Sequence, residues 1–420
     1  MKVFVAVALF LSTAAVCVAQ SPQPAAPAVT PLHVLLEEAQ RNNPGIQVAT
    51  HNYKAAGHMA RQAGALPDTQ VMVQHLSVGS PRPFAGYTNS DFAYIGLGAS
   101  QEFPWPGKRG LRSQVAQLQA RAMQVESGAV IRTVAEQVKT AYFKLAYLQI
   151  TLAILQDHDR LLGQIEQIAE SRYRVGGGTQ QEVLKAQLQH TRILQQISLN
   201  KREQGQFQSQ LKAVLGRAQD SPDIMTEPLR ERPLPTTSQE LLDSVRAANP
   251  DVNAREQLVS RAGKQIELAH KEFRPDFGLQ YMYQNTDRRF RDYYMLTFSV
   301  TLPNRGRRNA ELAQALEEHQ AAESDLAAEI QKRQSEVQEQ YVMAQTSAEQ
   351  LKIYREGLIP QAEATYQAAL AAYQANRQDF ETLLSSLRDI LEFKEQYQQE
   401  LSDHEIALAR LESLTGVTFP

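Results

Sequence analysis

The chain has 420 residues, 43% of them hydrophobic, and a formal net charge of −3 at pH 7. That charge offers no whole-chain attraction to nucleic acid and argues against a nucleic-acid function. The mean hydropathy is −0.40 because alanine supplies much of the apolar content and glutamine much of the polar content, a mixture that suits long thin helices better than one thick core.

Residues 1–19 read as an export signal: Lys2, an apolar run from Val3 to Val18, then small residues around Ala19. The run is short of the roughly 20 apolar residues that a membrane-spanning helix needs. A Pro/Ala-rich tail over 20–31 follows it. Cys17 is the only cysteine, so cleavage after Ala19 leaves a mature chain without a thiol. The alternative, lipidation at Cys17, has Val16 where a smaller residue is wanted.

From Leu32 to about Leu66 the pattern is helical, interrupted at Asn42-Asn43-Pro44, where Asn43 can cap and Pro44 can open a second helix. Strand patterns cover about 70–78 and 92–101, separated by a Gly/Pro/Ser/Asn-rich loop over 79–91. The second sorts Ala93, Ile95, Leu97 and Ala99 onto one face and Gly96, Gly98 and Ser100 onto the other. A proline-free helical stretch then spans 109–175. Val134, Val138, Ala141, Leu145, Leu148, Leu152 and Leu155 step through it by fours and threes, the spacing of a coiled-coil seam. At 1.5 Å per residue it predicts a helix about 100 Å long. Gly176-Gly177-Gly178 ends it, and Thr179 can cap a return helix to about Leu215.

Residues 217–237 hold four prolines and cannot form a regular helix. The order then restarts. Leu241-Leu242 through Asn249-Pro250 repeats Leu35-Leu36 through Asn43-Pro44, Arg274-Pro275-Asp276 repeats Leu66-Pro67-Asp68, and Tyr373 repeats Tyr173. The common offset of about 200 residues marks an internal duplication, repeat 1 over 32–216 and repeat 2 over 238–420. Repeat 2 predicts strands at about 277–285 and 293–302, a long helix over 306–375, a tip at 375–379 and another return helix.

The paired strands have an apolar and a more polar face and the length that crosses a bilayer when tilted; a hairpin on a soluble core would alternate in the same way. An open four-stranded sheet cannot sit in lipid with its edges unpaired, so a membrane reading requires several copies to pool their strands into a closed barrel. The expected fold class is therefore mainly α with transmembrane β: duplicated long helical hairpins and four strands per chain, assembled into a tube with a barrel at one end and hairpin tips at the other.

Phe103-Pro104-Trp105-Pro106-Gly107-Lys108-Arg109, Arg172-Tyr173-Arg174-Val175-Gly176-Gly177 and Leu358-Ile359-Pro360-Gln361-Ala362 resemble local signatures of the TolC-like outer-membrane factor family. The duplicated element order extends the resemblance over the whole mature chain, and its details are most similar to the heavy-metal-efflux branch. The resemblance implies a homotrimer with a twelve-stranded outer-membrane barrel and a periplasmic helical tunnel. It also implies a periplasmic adaptor (membrane fusion) protein, an inner-membrane transporter of the RND type, and passive export of heavy-metal cations or small toxic compounds. Type I protein secretion and a pore-free periplasmic coiled-coil scaffold are the alternatives.

Two sets of residues follow as candidates. At the tips, Arg174, Gly176, Glu182, Arg377, Asp379, Glu381, Thr382 and Ser385 are turn residues on the plain reading. On the family's pattern they dock the adaptor and close the tunnel. Thr382 and Ser385 stand where that pattern has acidic rings, which leaves Asp379, Glu381 or Glu182 to supply charge and Arg174 or Arg377 to counter it. At the barrel–tunnel junctions stand Pro104, Trp105, Gly107, Lys108 and Arg109, and Pro303, Arg305, Gly306 and Arg307. Their cations are either solvated turn residues or partners of anionic outer-membrane lipid headgroups, and Trp105 is expected at the membrane interface. His51, His58 and Met59 are better read as scattered polar-face residues than as a metal site. With no Gly-Lys-Ser/Thr loop, H-E-x-x-H helix or G-x-S-x-G elbow, the chain is expected to be no enzyme, to need no cofactor and to draw transport energy from a partner.

Overall fold

The computed structural model describes residues 29–77, 93–234, 237–286 and 292–419. The export signal, Cys17 and the loop expected over 79–91 lie outside the described residues. In chain order the elements are α1 (Leu32–Asn42), α2 (Pro44–Ala63), β1 (Gln70–Leu76), β2 (Tyr94–Phe103), α3 (Lys108–Arg174) and α4 (Gln180–Leu215). The second set is α5 (Ser238–Ala248), α6 (Pro250–Lys271), β3 (Asp276–Asn285), β4 (Asp292–Thr301), α7 (Arg305–Ile353), α8 (Ile359–Gln374) and α9 (Phe380–Thr415).

The duplication extends to single hydrogen bonds. Asn43 Oδ1 caps α2 by accepting from the N–H groups of Gly45 and Ile46, while its Nδ2 donates to the Val214 carbonyl at 2.7 Å. Asn249 caps α6 through Asp251 and Val252 in the same way, and its Nδ2 donates to the Leu414 carbonyl at 2.8 Å. In each repeat one asparagine therefore ends one helix, starts the next and ties both to the end of the return helix. Gly216 and Gly416 close those return helices at φ +72° and +73°, the left-handed region that favours glycine.

Helix α3 has 67 residues, about 100 Å of helix. It packs against α4 on the tip side and against α2 on the sheet side, and α7 packs likewise against α9 and α6. The narrow seam explains this arrangement. Val138, Leu145 and Leu155 are almost fully buried, and only neighbouring helices can cover so thin a stripe. Leu155, Ile165, Ala186, Tyr366, Leu383 and Leu387 belong to a core near the tips, and two further cores lie toward the middle of the chain's long axis.

The second long helix departs from an uninterrupted run over 306–375. A π-turn, Tyr354–Leu358, separates α7 from α8. Pro360 lacks an N–H, and its ring crowds the carbonyl four residues back in a regular α-helix. The wider turn, in which Ile359 N–H donates to the Tyr354 carbonyl, accommodates that defect without breaking the rod.

His158 lies buried on α3, beside a cavity also lined by Asp157 and Arg160 of its own helix, Glu363 of α8 and Lys394 of α9. Burial, reinforced by the Lys394 ammonium, pushes its pKa from 6.5 down to about 4. Between those values the unfolded chain binds a proton that the folded chain refuses, so stability is lost as pH falls through that window. The expected slope is at most about 1.4 kcal/mol per pH unit. Thermal unfolding measured from pH 7 to 4.5 should show the decline, and His158→Gln should flatten it.

The sheet is antiparallel in the order β1-β2-β3-β4. β2 runs to Phe103, two residues beyond its expected end, because Phe103 still pairs with Phe277. The registers sort the sheet into two faces. Val73, Leu97, Tyr283 and Tyr294 form one cross-strand row, and Val71, Ala99, Tyr281 and Leu296 form the next. These rows are open, with Val71 72% and Tyr294 71% exposed. The opposite face carries Gln70, Gln74, Ser100, Gln280, Gln284 and Thr297 on the same registers. Among the described residues no helix is long and apolar enough to cross a membrane; the Val71 and Tyr294 face of the sheet is an open apolar surface.

Candidate functional site

The first junction is a buried ionic clasp. Gly107, at φ +94°, turns the chain from β2 into α3 and drives Lys108 inward, where its side chain is 1% exposed. Lys108 Nζ donates to the Arg274 carbonyl at 2.8 Å and to both Asp276 oxygens at 2.9 and 3.0 Å, and it lies 3.1 Å from Glu272. Glu272 also accepts from Arg112 at 2.7 Å and faces Arg308 at 3.6 Å. Arg109 Nε donates to the Gly64 carbonyl at 3.0 Å. Repeat 1 is thereby bolted to the loop that precedes β3 of repeat 2.

This geometry corrects the two readings of Lys108 as a solvated turn residue or a lipid contact. A side chain so buried and with so many acceptors reaches neither water nor headgroups, and Arg109 and Arg112 are likewise spent on protein. The second junction is more open. Asn304 caps α7 by accepting from the Arg307 N–H at 3.2 Å, Pro303 precedes it, and Gly306 lies in the first turn. Arg305 is exposed, and Arg307 pairs with Glu311 at 2.8 Å while 73% exposed.

Trp105 lies between the two environments. Its backbone N–H donates to Asp276 Oδ1 at 2.7 Å, and its ring packs 5.6 Å from Phe277, which stacks 5.8 Å from Phe298. An aromatic ladder thus runs from the junction onto the apolar sheet face.

At the tips the two turns are built alike. Gly176 at φ +73° and Asn376 at φ +61° each occupy the left-handed position, and Gly177 N–H to Arg172 O and Arg377 N–H to Ala372 O, both 2.9 Å, close the loops. Gly178 is tightly packed: a Cβ there would meet Glu182 Oε2 at 3.2 Å and Arg172 Cβ at 3.3 Å, so a side chain would push on both. Arg172 then reaches across to the other hairpin. Its guanidinium lies 4.2 Å from the Tyr373 ring centre, and it donates to the Tyr373 carbonyl, to Asn376 Oδ1 and, at 3.0 Å, to the Gly177 carbonyl. The Tyr373 hydroxyl donates to Glu182 at 2.8 Å. Burial, and then the bond to Glu182, push its pKa up to about 12, so it remains a donor.

Glu381 belongs to a second tie, pairing with Lys185 at 2.6 Å and Arg388 at 3.4 Å; the bond from Lys185 holds its carboxyl below the usual range. Asp379 caps α9, accepting from the Thr382 hydroxyl and from the Thr382 N–H at 3.2 Å, and the hydroxyl bond lowers its pKa as well. Arg174 points back to Ser171 at 3.4 Å, Arg377 is exposed, and Ser385 is half-buried on α9. Of the expected tip residues, only Glu182 and Glu381 make the cross-hairpin ties. Arg172, Tyr373, Asn376 and Lys185 are the partners that sequence reasoning missed. The repeat pairing of Tyr373 with Tyr173 is the one sequence signal that points to it. His51 and His58 are exposed on α2, and among the described residues no group of three or more His, Cys, Asp or Glu is placed to hold a metal.

The model of the family described as "Outer membrane efflux protein" matches the chain twice, over residues 35–217 and 241–417. The chain belongs to this family. Its place is the outer membrane, with the helical rods extending into the periplasm. No curated protein matches it significantly in sequence. Solved channels share the fold. CusC superposes with a TM-score of 0.78 at 19% identity, covering 91% of both chains. VceC from Vibrio cholerae gives 0.78 at 19% identity, covering 93% of this chain and 97% of its own. The open state of the Neisseria gonorrhoeae MtrE outer-membrane channel gives 0.76 at 19% identity, covering 92% and 88%. The members of this outer-membrane family are channels rather than enzymes.

Proposed function

We propose that the chain is the passive exit duct of a tripartite efflux system, working as a homotrimer whose pooled strands close a twelve-stranded barrel. The supporting observation is the sheet itself: one open apolar face, one polar face, and two edge strands, β1 and β4, that need partners before lipid can surround them. Residues 1–19 deliver the chain and are removed. The rods span the periplasm, and the tips meet a periplasmic adaptor that joins the duct to an inner-membrane transporter of the RND type, which supplies the energy. Arg305 and Arg307, the cations left open at the junctions, face outer-membrane headgroups. The cargo is heavy-metal cations or small toxic compounds.

The test is a single-channel record of the detergent-extracted trimer in a planar bilayer, expected to show steady ion conduction. A water-soluble monomer without conductance would overturn the duct. Asp379→Asn keeps the helix cap but removes the charge, and it should lower cation preference if Asp379 lines the pore; an unchanged record removes Asp379 from the gate.

A further inference from the structure

Three methionines fall into one cross-strand row of the sheet. Met72 pairs with Gly98, Gly98 with Met282, and Met282 with Met295, which puts all three side chains on one face. It is the polar face, opposite the lipid-facing rows. The neighbouring row on one side contains Gln74 and Gln284, and on the other Gln70, Gln280 and Thr297. A face whose flanking rows carry mainly glutamine, serine and threonine therefore also holds a band of thioethers, which hydrate poorly.

Packing accounts for part of this row only. Met282 is fully buried, lying across β2 where Gly98 has no side chain: a Cβ on Gly98 would meet its Cε at 2.8 Å and its Sδ at 2.9 Å. A flexible thioether filling the gap above a glycine is ordinary. Met295, however, is 44% exposed and Met72 half-buried, and neither fills a core.

The spacing suits shared ligation. Directly opposed residues such as Met282 and Met295 have Cβ atoms about 5 Å apart, well within the reach of two methionine side chains. Met72 is two strand spacings from Met282, about 9.6 Å; the lean of Met282 over Gly98 closes much of that gap and carries its sulfur away from β4, so Met295 joins by reaching back over β3. Gln280 Nε2 lies 3.3 Å from Met72 Sδ, fixing one sulfur in place. Thioether sulfur is a soft, neutral donor that selects ions such as Cu(I) and leaves hard cations to water. The ligands are neutral, so the bound ion keeps its charge; a conducting path requires binding weak enough for the ion to leave.

We infer that Met72, Met282 and Met295 form an exchangeable thioether site for soft monovalent cations, Cu(I) or Ag(I), on the inner face of the sheet. Its role as a step along the export path rests on the duct reading; the ligation requires only the sheet.

The probe is Ag(I), titrated into the purified mature protein, which cleavage after Ala19 has freed of the Cys17 thiol, in chloride-free detergent buffer, with sulfur neighbours read by X-ray absorption at the silver edge. Saturable, sulfur-coordinated silver is expected, undisturbed by excess Na⁺ or Zn²⁺. The triple variant Met72→Leu/Met282→Leu/Met295→Leu, close to volume-conserving, should lose silver affinity at least tenfold and keep its potassium conductance. Met295→Leu alone, at an exposed position, should weaken silver severalfold even where the triple variant fails to assemble. Met59→Leu/Met343→Leu, at exposed helical positions, should change nothing. Wild-type protein that conducts potassium but holds no sulfur-bound silver, or a triple variant with wild-type silver affinity, overturns the site. Sulfur-bound silver without potassium conductance instead overturns the duct and leaves the ligation standing.

Discussion

Lys108→Ala should destabilise the assembled protein by about 3 kcal/mol, the lower end of what removing one partner from a buried ion pair costs. The lower end applies because Asp276 is 33% exposed, although Glu272 is 13% exposed and Lys108 only 1%. Removing the ammonium leaves Asp276, Glu272 and the Arg274 carbonyl facing one another without the donor that now satisfies all three. Asp276 also holds the Trp105 N–H, so the damage should spread to the first turn of the junction. The measurement is the midpoint for heat-induced trimer dissociation in detergent, which should fall by several degrees. Two further variants sharpen it. Lys108→Met/Asp276→Asn, which removes charge from both sides, should recover part of the loss. Arg307→Ala, which breaks an exposed pair within one helix, should leave the midpoint unchanged. Equal effects of Lys108→Ala and Arg307→Ala would refute the clasp.

The contrast between these two junction cations shows where sequence reading stops. Lys108, Arg109 and Arg112 form a visible basic run, and their nearness along the chain suggested one shared role at a surface. The acceptors of Lys108 and Arg112 lie 160 or more residues away and that of Arg109 45 residues away, beyond any local charge pattern. The long helices, the strand pairs and the Asn-Pro helix restarts were legible because each is set by neighbours within a few residues: a four-three seam, an alternation, a cap. Pro360 was visible too. The Ala/Gln-rich pattern resumes on both sides of it, however, and periodicity alone cannot distinguish a helix that stops from one that absorbs a π-turn. Asp379 reads equally as a turn residue or a gate charge, because an acid beside a turn has the same one-dimensional appearance whether it caps a helix or faces a pore. The methionine row was wholly illegible. Positions 72, 282 and 295 share no interval, and only the strand registers bring them into line.

Arg172→Ala should release the tip while leaving the rods intact. The side chain supplies a cation–π contact to Tyr373 and charge-assisted hydrogen bonds to the opposite turn. Contacts of these kinds, here partly exposed to water, together amount to about 2–3 kcal/mol. At a tenfold change per 1.4 kcal/mol, local opening should become roughly 30- to 140-fold more frequent. Hydrogen exchange should report this as faster labelling of the residues around Arg172–Glu182 and Tyr373–Thr382, with α3 near Val138 and Leu145 unaffected. Tyr373→Phe removes only the hydroxyl bond to Glu182 and keeps the ring under the guanidinium. It should raise exchange about fivefold, the effect of one hydrogen bond of about 1 kcal/mol. Lys185–Glu381 ties the same two hairpins independently, so Arg172→Ala/Glu381→Gln should open the tip further than either change alone, and single-channel conductance should rise in the same order. If exchange quickened but conductance stayed fixed, the network would hold the hairpins together without setting the aperture, and the constriction would have to lie elsewhere along the tunnel.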